Sequence, residues 1–181
     1  CIQKSPYCYT SQLYDKFGEV FESYLRDHVR ASLEVRLTSG DPLSLLRELH
    51  RRWLDHRLMR KWMFDFFKYI DRFFVRRHNK RPLQEVATIK FAECVFTPLR
   101  SHISQALLES IRKERIGERD IDRAMLRDLI SLYIELNLGS TRQYVTDFEQ
   151  PFLAATREFY SRQAAAWIET DSATEFLKKC E

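Results

Sequence analysis

Between Leu13 and Leu37 the apolar residues fall at Leu13, Phe17, Val20, Phe21, Tyr24, Leu25, Val29, Leu33 and Leu37. Steps of three and four residues put them on one face of a helix, so a long amphipathic helix is predicted there. Ser39-Gly40-Asp41-Pro42 then offers a glycine past the helix end, an N-cap and a proline at the first position of the next helix. Leu45, Leu46, Leu49 and Trp53 carry that second helix. A third is predicted over 57–77, either continuous with the second or bent near His56. At 100° per residue, Met59, Met63, Phe67, Ile70 and Phe74 form its core stripe, which Phe66 and Phe73 extend sideways. Beyond that edge lies a mixed seam of Trp62, Asp65, Tyr69, Arg72 and Arg76.

Asn79-Lys80-Arg81-Pro82 breaks the pattern. A fourth helix is predicted over 83–115, with Val86, Phe91, Val95, Leu99, Ile103, Leu107 and Ile111 as its ladder, a kink at Pro98 and a stop at Ile116-Gly117. Ile121, Met125, Leu129, Tyr133 and Leu136 mark a fifth, closed by Asn137-Leu138-Gly139. Tyr144, Phe148, Phe152, Thr156, Phe159, Tyr160 and Trp167 mark a sixth over 142–167, interrupted only by Pro151. Ser172 and Glu175 have capping-box spacing for the start of a seventh. Helices on short linkers with no strand candidate predict an all-α protein built as an α-solenoid, each unit covering its neighbour's core.

Composition agrees. Nine glycines and prolines in 181 residues are about 5% of the chain against an average near 12%, too few for the turns of a β-sandwich or barrel. No apolar run is long enough to cross a membrane. The opening Cys1-Ile2-Gln3-Lys4 has neither an initiator Met nor a signal pattern, and predicts a piece of a longer chain. Cys1, Cys8, Cys94 and Cys180 show no C-x-x-C pair and no histidine at zinc spacing. Cys94, in Ala92-Glu93-Cys94-Val95-Phe96, reads as a reduced core thiol. The absence of an N-x-[ST] sequon points the same way, to a reducing intracellular compartment.

Charge is uneven. Residues 47–81 hold twelve Lys or Arg and four acids, a net of +8, which leaves −4 for the rest of a chain whose formal net charge is +4. A basic surface suits nucleic acid or an acidic protein face, and a solvated arginine-rich helix face explains it equally well. The seam on the third predicted helix is open in the same way. Tyr, Trp and Arg are the residue types enriched at interface hot spots, and the edge of a wide core face reaching to water has the same composition.

Catalytic patterns are missing. There is no phosphate-binding glycine loop, no H-E-x-x-H and no G-x-S-x-G. His28, His50, His56, His78 and His102 are scattered. Asp120 and Asp122 suit a helix N-terminus, where the dipole favours negative charge. The expectation is a non-enzyme without metal or cofactor.

Three sets of residues, in this order, resemble the amino-terminal region of a cullin. They are Tyr69-Ile70-Asp71-Arg72-Phe73-Phe74-Val75-Arg76-Arg77, then Lys113-Glu114-Arg115-Ile116-Gly117-Glu118, then Asp147-Phe148-Glu149 with Phe152-Leu153, Thr156 and Phe159-Tyr160-Ser161-Arg162. Ser11-Gln12-Leu13-Tyr14-Asp15-Lys16 and Ala166-Trp167-Ile168-Glu169 bring it nearest the plant cullin of SCF ubiquitin ligases. The resemblance covers essentially the whole chain. It implies a stalk of five-helix cullin repeats, with 1–9 a remnant linker, 10–81 the last three helices of a first repeat and 82–181 most of a second.

It also implies a non-catalytic scaffold that positions a Skp1-like adaptor and its F-box substrate receptor for protein ubiquitination, in cytoplasm and nucleus. The family's adaptor contacts lie on the second and fifth helices of the first repeat. The fifth corresponds to 57–77, and the contact Tyr and Arg of the Y-[ILM]-[DN]-R motif fall on Tyr69 and Arg72. Helix geometry adds Trp62, Asp65, Phe73 and Arg76. The family's second helix would lie before Cys1, which implies a binding area below the usual range for this chain alone. The carboxy-terminal domain that recruits the RING protein is likewise outside it. Two other readings stand beside this one: a basic helical module binding nucleic acid through 47–81, and a truncated cullin-like product without ligase function.

Overall fold

The computed structural model describes residues 9–118, 120–170, 172 and 175. Among these there are five long helices and no strand. Helix α1 spans 10–38, α2 42–75, α3 83–115, α4 Arg123–Leu136 and α5 142–170. The second and third predicted helices are therefore one, as the continuous alternative had it. Between Pro42 and Tyr69 the break from helical φ/ψ is at Phe67 (φ −97°, ψ 15°), eleven residues beyond the bend considered at His56. The predicted remnant linker lies outside the described residues except for Tyr9, as does the helix expected after Glu175. Its capping box is visible: Ser172 N–H donates to Glu175 Oε2 at 3.1 Å, and Glu175 N–H points back to Ser172 Oγ at 3.4 Å.

Local chemistry sets the helix ends. Asp41 caps α2, its carboxylate accepting from the N–H groups of Leu43 and Ser44 at 3.1 Å, with Pro42 at the first turn. Asp122 does the same for Ala124 and Met125 of α4, the helix-terminal role expected of it. Gly117 (φ +94°) takes the left-handed conformation that turns the chain out of α3, and Glu118 N–H reaches back to the Lys113 carbonyl. Loss of the Asp41 carboxylate in Asp41→Ala should cost about 1 kcal/mol, read as a lower urea midpoint with an unchanged m-value.

Four helices contain a π-helical stretch: Leu25–Arg30, Ile70–Val75, Ala92–Phe96 and Val145–Glu149. Two of these stretches precede a proline by two residues. Proline has no N–H for the carbonyl four residues back, and a widened turn is one way to accommodate that loss. The irregularity expected at Pro98 is thus the π stretch just before it, and Pro151 begins no new helix. The Asp147 carbonyl, four residues before Pro151, instead accepts a hydrogen bond from Ser104 Oγ of α3 at 2.5 Å.

The five helices form two layers. Gly18 lies against Val86 and Glu22 pairs with Lys90 at 2.7 Å, so α1 and α3 run in the same direction. Ser104 meets Asp147 and Arg115 meets Thr156, so α5 runs alongside them. In the second layer α2 and α4 are parallel to each other, joined by Arg47–Asp120 (3.0 Å), His50–Asp128 (3.2 Å) and Arg60–Glu135 (3.1 Å). This alternation is an α-solenoid.

Two aromatic centres fill it. Trp53 and His56 of α2 pack on Phe91 of α3, with Phe21 of α1 edge-on to His56. Further along, Phe96 meets Tyr133, which contacts Phe148, and Phe148 stacks on Phe152. Cys94 is buried as expected.

Candidate partner-docking face

On α2 the core stripe behaves as the periodicity requires: Ile70 is buried, and Met59, Met63, Phe67 and Phe74 pack partly buried against the core. Helix α1 covers this side, with Phe17 edge-on to Phe67 and Tyr14 against Phe74. Tyr14 also donates to the Arg81 carbonyl at 2.8 Å, holding the chain just after α2. Asp71 Oδ1 accepts the first N–H of α3, from Leu83, at 2.9 Å, and partial burial raises its carboxyl above the usual range. The neighbouring residues of the motif are thus held by structure on one side and left outward on the other.

All six residues of the predicted site are exposed. Tyr69 stacks on Phe73 with ring centroids 5.2 Å apart, and the Arg72 guanidinium lies 5.5 Å from the Phe73 centroid. These three form one local unit. Trp62 lies two turns earlier on the same side, with exposed Asp65 between it and Tyr69 and exposed Arg76 one turn beyond Arg72, and none of the three joins the Tyr69–Phe73 unit by a hydrogen bond, ion pair or ring contact.

Helix phase read two exposed residues, Phe66 and Phe73, as sideways extensions of the core and missed two others. Phe66, read as a sideways extension of the core, is 80% exposed, because α1 covers only the stripe beside it. Leu54 and Leu58, not singled out in the sequence, are 45% and 57% exposed. With Trp62 (65%), Tyr69 (59%) and Phe73 (56%) they make a continuous strip at i, i+4, i+8, i+12, i+15 and i+19. The signal that could have found them is this spacing carried back from Trp62.

Over 19 residues the strip is about 28 Å long. At roughly 200 Å² per large side chain it exposes about 700 Å² of mostly apolar surface. That is above the few hundred Å² common on monomers and close to one partner's share, about 800 Å², of a standard interface. Its amino-terminal half carries both signs, with Asp55, Arg57, Lys61 and Asp65, whereas Lys68, Arg72, Arg76 and Arg77 make the other half basic.

The basic count of 47–81 falls when geometry is included. Arg47 and Arg60 join α2 to α4, Arg60 also donates to Thr88 of α3 at 2.6 Å, and Arg51 and Arg52 both serve Glu48. Those hydrogen bonds hold the Glu48 carboxyl down to about 2. Four of the twelve cations are engaged within the fold, all in the first half of the segment. The described residues contain no cluster of His, Cys, Asp and Glu able to hold a metal ion, and no helix long and apolar enough to cross a membrane.

Parallel layers of antiparallel hairpins, with an exposed apolar strip along α2, define an α-solenoid. The whole chain, residues 1–181, matches the cullin alpha solenoid domain, and it belongs to the cullin family. A cullin-like protein 2 of Arabidopsis thaliana is 38% identical over 184 residues, covering 100% of this chain and 47% of its own length. Cullin-2 of the same plant is 36% identical over 181 residues, 100% of this chain and 24% of that protein. Cullin-1 of Oryza sativa subsp. japonica is 36% identical over 156 residues, 86% of this chain and 20% of that protein. The chain spans about half or less of the length of these relatives.

Proposed function

We propose that this chain is part of the stalk of a cullin scaffold in an SCF-type ubiquitin ligase, non-catalytic itself, which holds a Skp1-like adaptor and its F-box substrate receptor. The observation that carries the reading is the exposed strip of α2, where the Tyr69–Phe73 stack and Arg72 project from a helix fixed on its other side by α1 and α3. Tyr69 and Arg72 are the motif positions through which the family resemblance implies adaptor contact, and Trp62, Asp65, Phe73 and Arg76 flank them. In this reading 10–81 ends a first cullin repeat, now as two helices, and 82–181 makes up most of a second. A RING protein would be recruited through a carboxy-terminal domain outside this chain. Cytoplasm and nucleus are the locations that accompany the role.

A stalk works by holding two ends at a defined separation, because proximity speeds transfer only when geometry is held. Two continuous layers of long helices supply that stiffness. Nucleic-acid binding is not favoured: part of the positive charge of 47–81 docks α4, and the remainder borders an aromatic strip.

The test is a pull-down with a Skp1-like adaptor, using this chain, the chain extended by the amino-terminal helices of a cullin, and the extended chain with Tyr69→Ala. The extension should bind more tightly than the chain alone. Tyr69→Ala should weaken binding at least about 30-fold, the scale of a hot-spot aromatic. Unchanged binding by the Tyr69→Ala extension would remove the proposed site.

A further inference from the structure

Two of the sequence stretches that carry the family resemblance, 113–118 and 152–162, meet in space at one side chain. Arg115, the last residue of α3, donates from Nη2 to Thr156 Oγ1 of α5 at 2.7 Å. Its guanidinium carbon lies 5.2 Å from the ring centroid of Phe152, 5.6 Å from that of Phe159 and 5.8 Å from that of Tyr160. All three distances are in the range where a cation is drawn to an aromatic face. Thr156 passes its own proton to the Phe152 carbonyl at 2.7 Å, which leaves its oxygen lone pairs for Arg115.

At its base α5 has two further ties. Phe148 is buried, and Ser104 ties the Asp147 carbonyl to α3. From Gln150 onward no described side chain of α5 is fully buried. Beside Arg115 the two helices are separated by an open groove of about 480 Å³ walled by Leu108 and Ile111 on one side and Phe152, Ala155 and Phe159 on the other. Helix α5 runs fourteen residues past Thr156 to Thr170, about 21 Å. Over such a lever a 10° tilt moves the tip by about 4 Å.

We propose that Arg115 is the joint that sets the direction of α5, and with it the path the helical stack takes beyond residue 142. A planar fork bonded to Thr156 and enclosed by three rings spaced along two turns fixes both rotation and tilt. Leucine would keep apolar contact without the bond or the cation. The claim concerns the geometry of this chain and stands or falls without any adaptor, so its failure is distinct from failure of the docking face.

Spin labels at Ser101→Cys of α3 and Glu169→Cys of α5 would report the angle by pulsed electron-spin distance measurement, with Cys1, Cys8 and Cys180 changed to serine. A control pair at Val35→Cys and Ser101→Cys reports α1 against α3. Arg115→Leu should shift or broaden the 101–169 distance by about 4 Å or more while the 35–101 distance and the helical circular dichroism stay as in the parent. If Arg115→Leu does not fold, the double change Thr156→Val with Phe159→Leu is expected to move the same distance. An unaltered 101–169 distribution overturns the proposal. So does equal broadening of both pairs, which would signal general loosening.

Discussion

Phe91→Ala should lower the free energy of unfolding by about 4 kcal/mol, the cost of emptying a fully enclosed phenyl site. Phe91 is completely buried, with the Trp53 ring 5.0 Å away and the His56 ring 4.7 Å away. It is the point where α3 locks onto α2. The side chains around it are large and held from three helices, so the space would close poorly. For a chain of this size each kcal/mol is worth about 2–4 °C, so thermal unfolding should fall by about 12 °C. A drop of less than about 4 °C would show that the neighbouring rings can collapse into the gap.

Acid should destabilise the protein well above the range in which carboxylates titrate, and His56 is the reason. Burial, with the Arg60 charge adding to it, pushes its pKa down to about 3. Neither ring nitrogen makes a well-formed hydrogen bond. The Ala87 backbone favours the charged ring slightly, and the other two effects outweigh it. In the unfolded chain the ring titrates near 6.5. Below that pH the unfolded chain binds a proton that the folded protein refuses, so this share of stability, complete above about pH 6.5, is lost as pH falls towards 3. The slope is about 1.4 kcal/mol per pH unit. Glu48, held at about 2, adds its own loss only below its unfolded value near 4.5, which leaves the interval from 6.5 to 4.5 to His56. Urea unfolding across that interval should show the slope in the parent and its absence in His56→Leu. A parallel slope in both proteins would assign it elsewhere. The two predictions are coupled: Phe91→Ala would admit water beside His56 and flatten its pH dependence.

Much of the fold is legible in the sequence because its punctuation is local. Asp41, Pro42, Asp122, Gly117 and Gly139 each act within a few residues of their position, and the apolar ladders of α1, α3 and α4 face inward except at Val20, which is 53% exposed. What a fixed 100° step does not convey is the break at Phe67 and the π stretch after it, which change the phase of α2 at Phe73. Exposure is also a property of neighbours. Phe66 and Ile70 have similar apolar surroundings in sequence, yet Ile70 is buried and Phe66 is exposed. The residues of the candidate site were legible as types and faces, whereas Leu54 and Leu58 required knowing which flank of α2 no described helix covers. The joint at Arg115 needed two stretches forty-one residues apart to be seen together. Arg47 and Arg60 likewise read as surface charge until α4 is placed beside them.

Pro151 has a role of a different kind. By withholding an N–H it exports one backbone acceptor, the Asp147 oxygen, from its own helix to a neighbour. The observed alignment of α5 on α3 brings the Ser104 hydroxyl to that oxygen. A slip of one turn would move it by about 5.4 Å and take the Ser104 donor away from a partly buried carbonyl. The proline and Ser104 therefore act as a key and its notch, and the alignment of the first and third helices after the α2 hairpin is written into a residue that would ordinarily be counted as a defect.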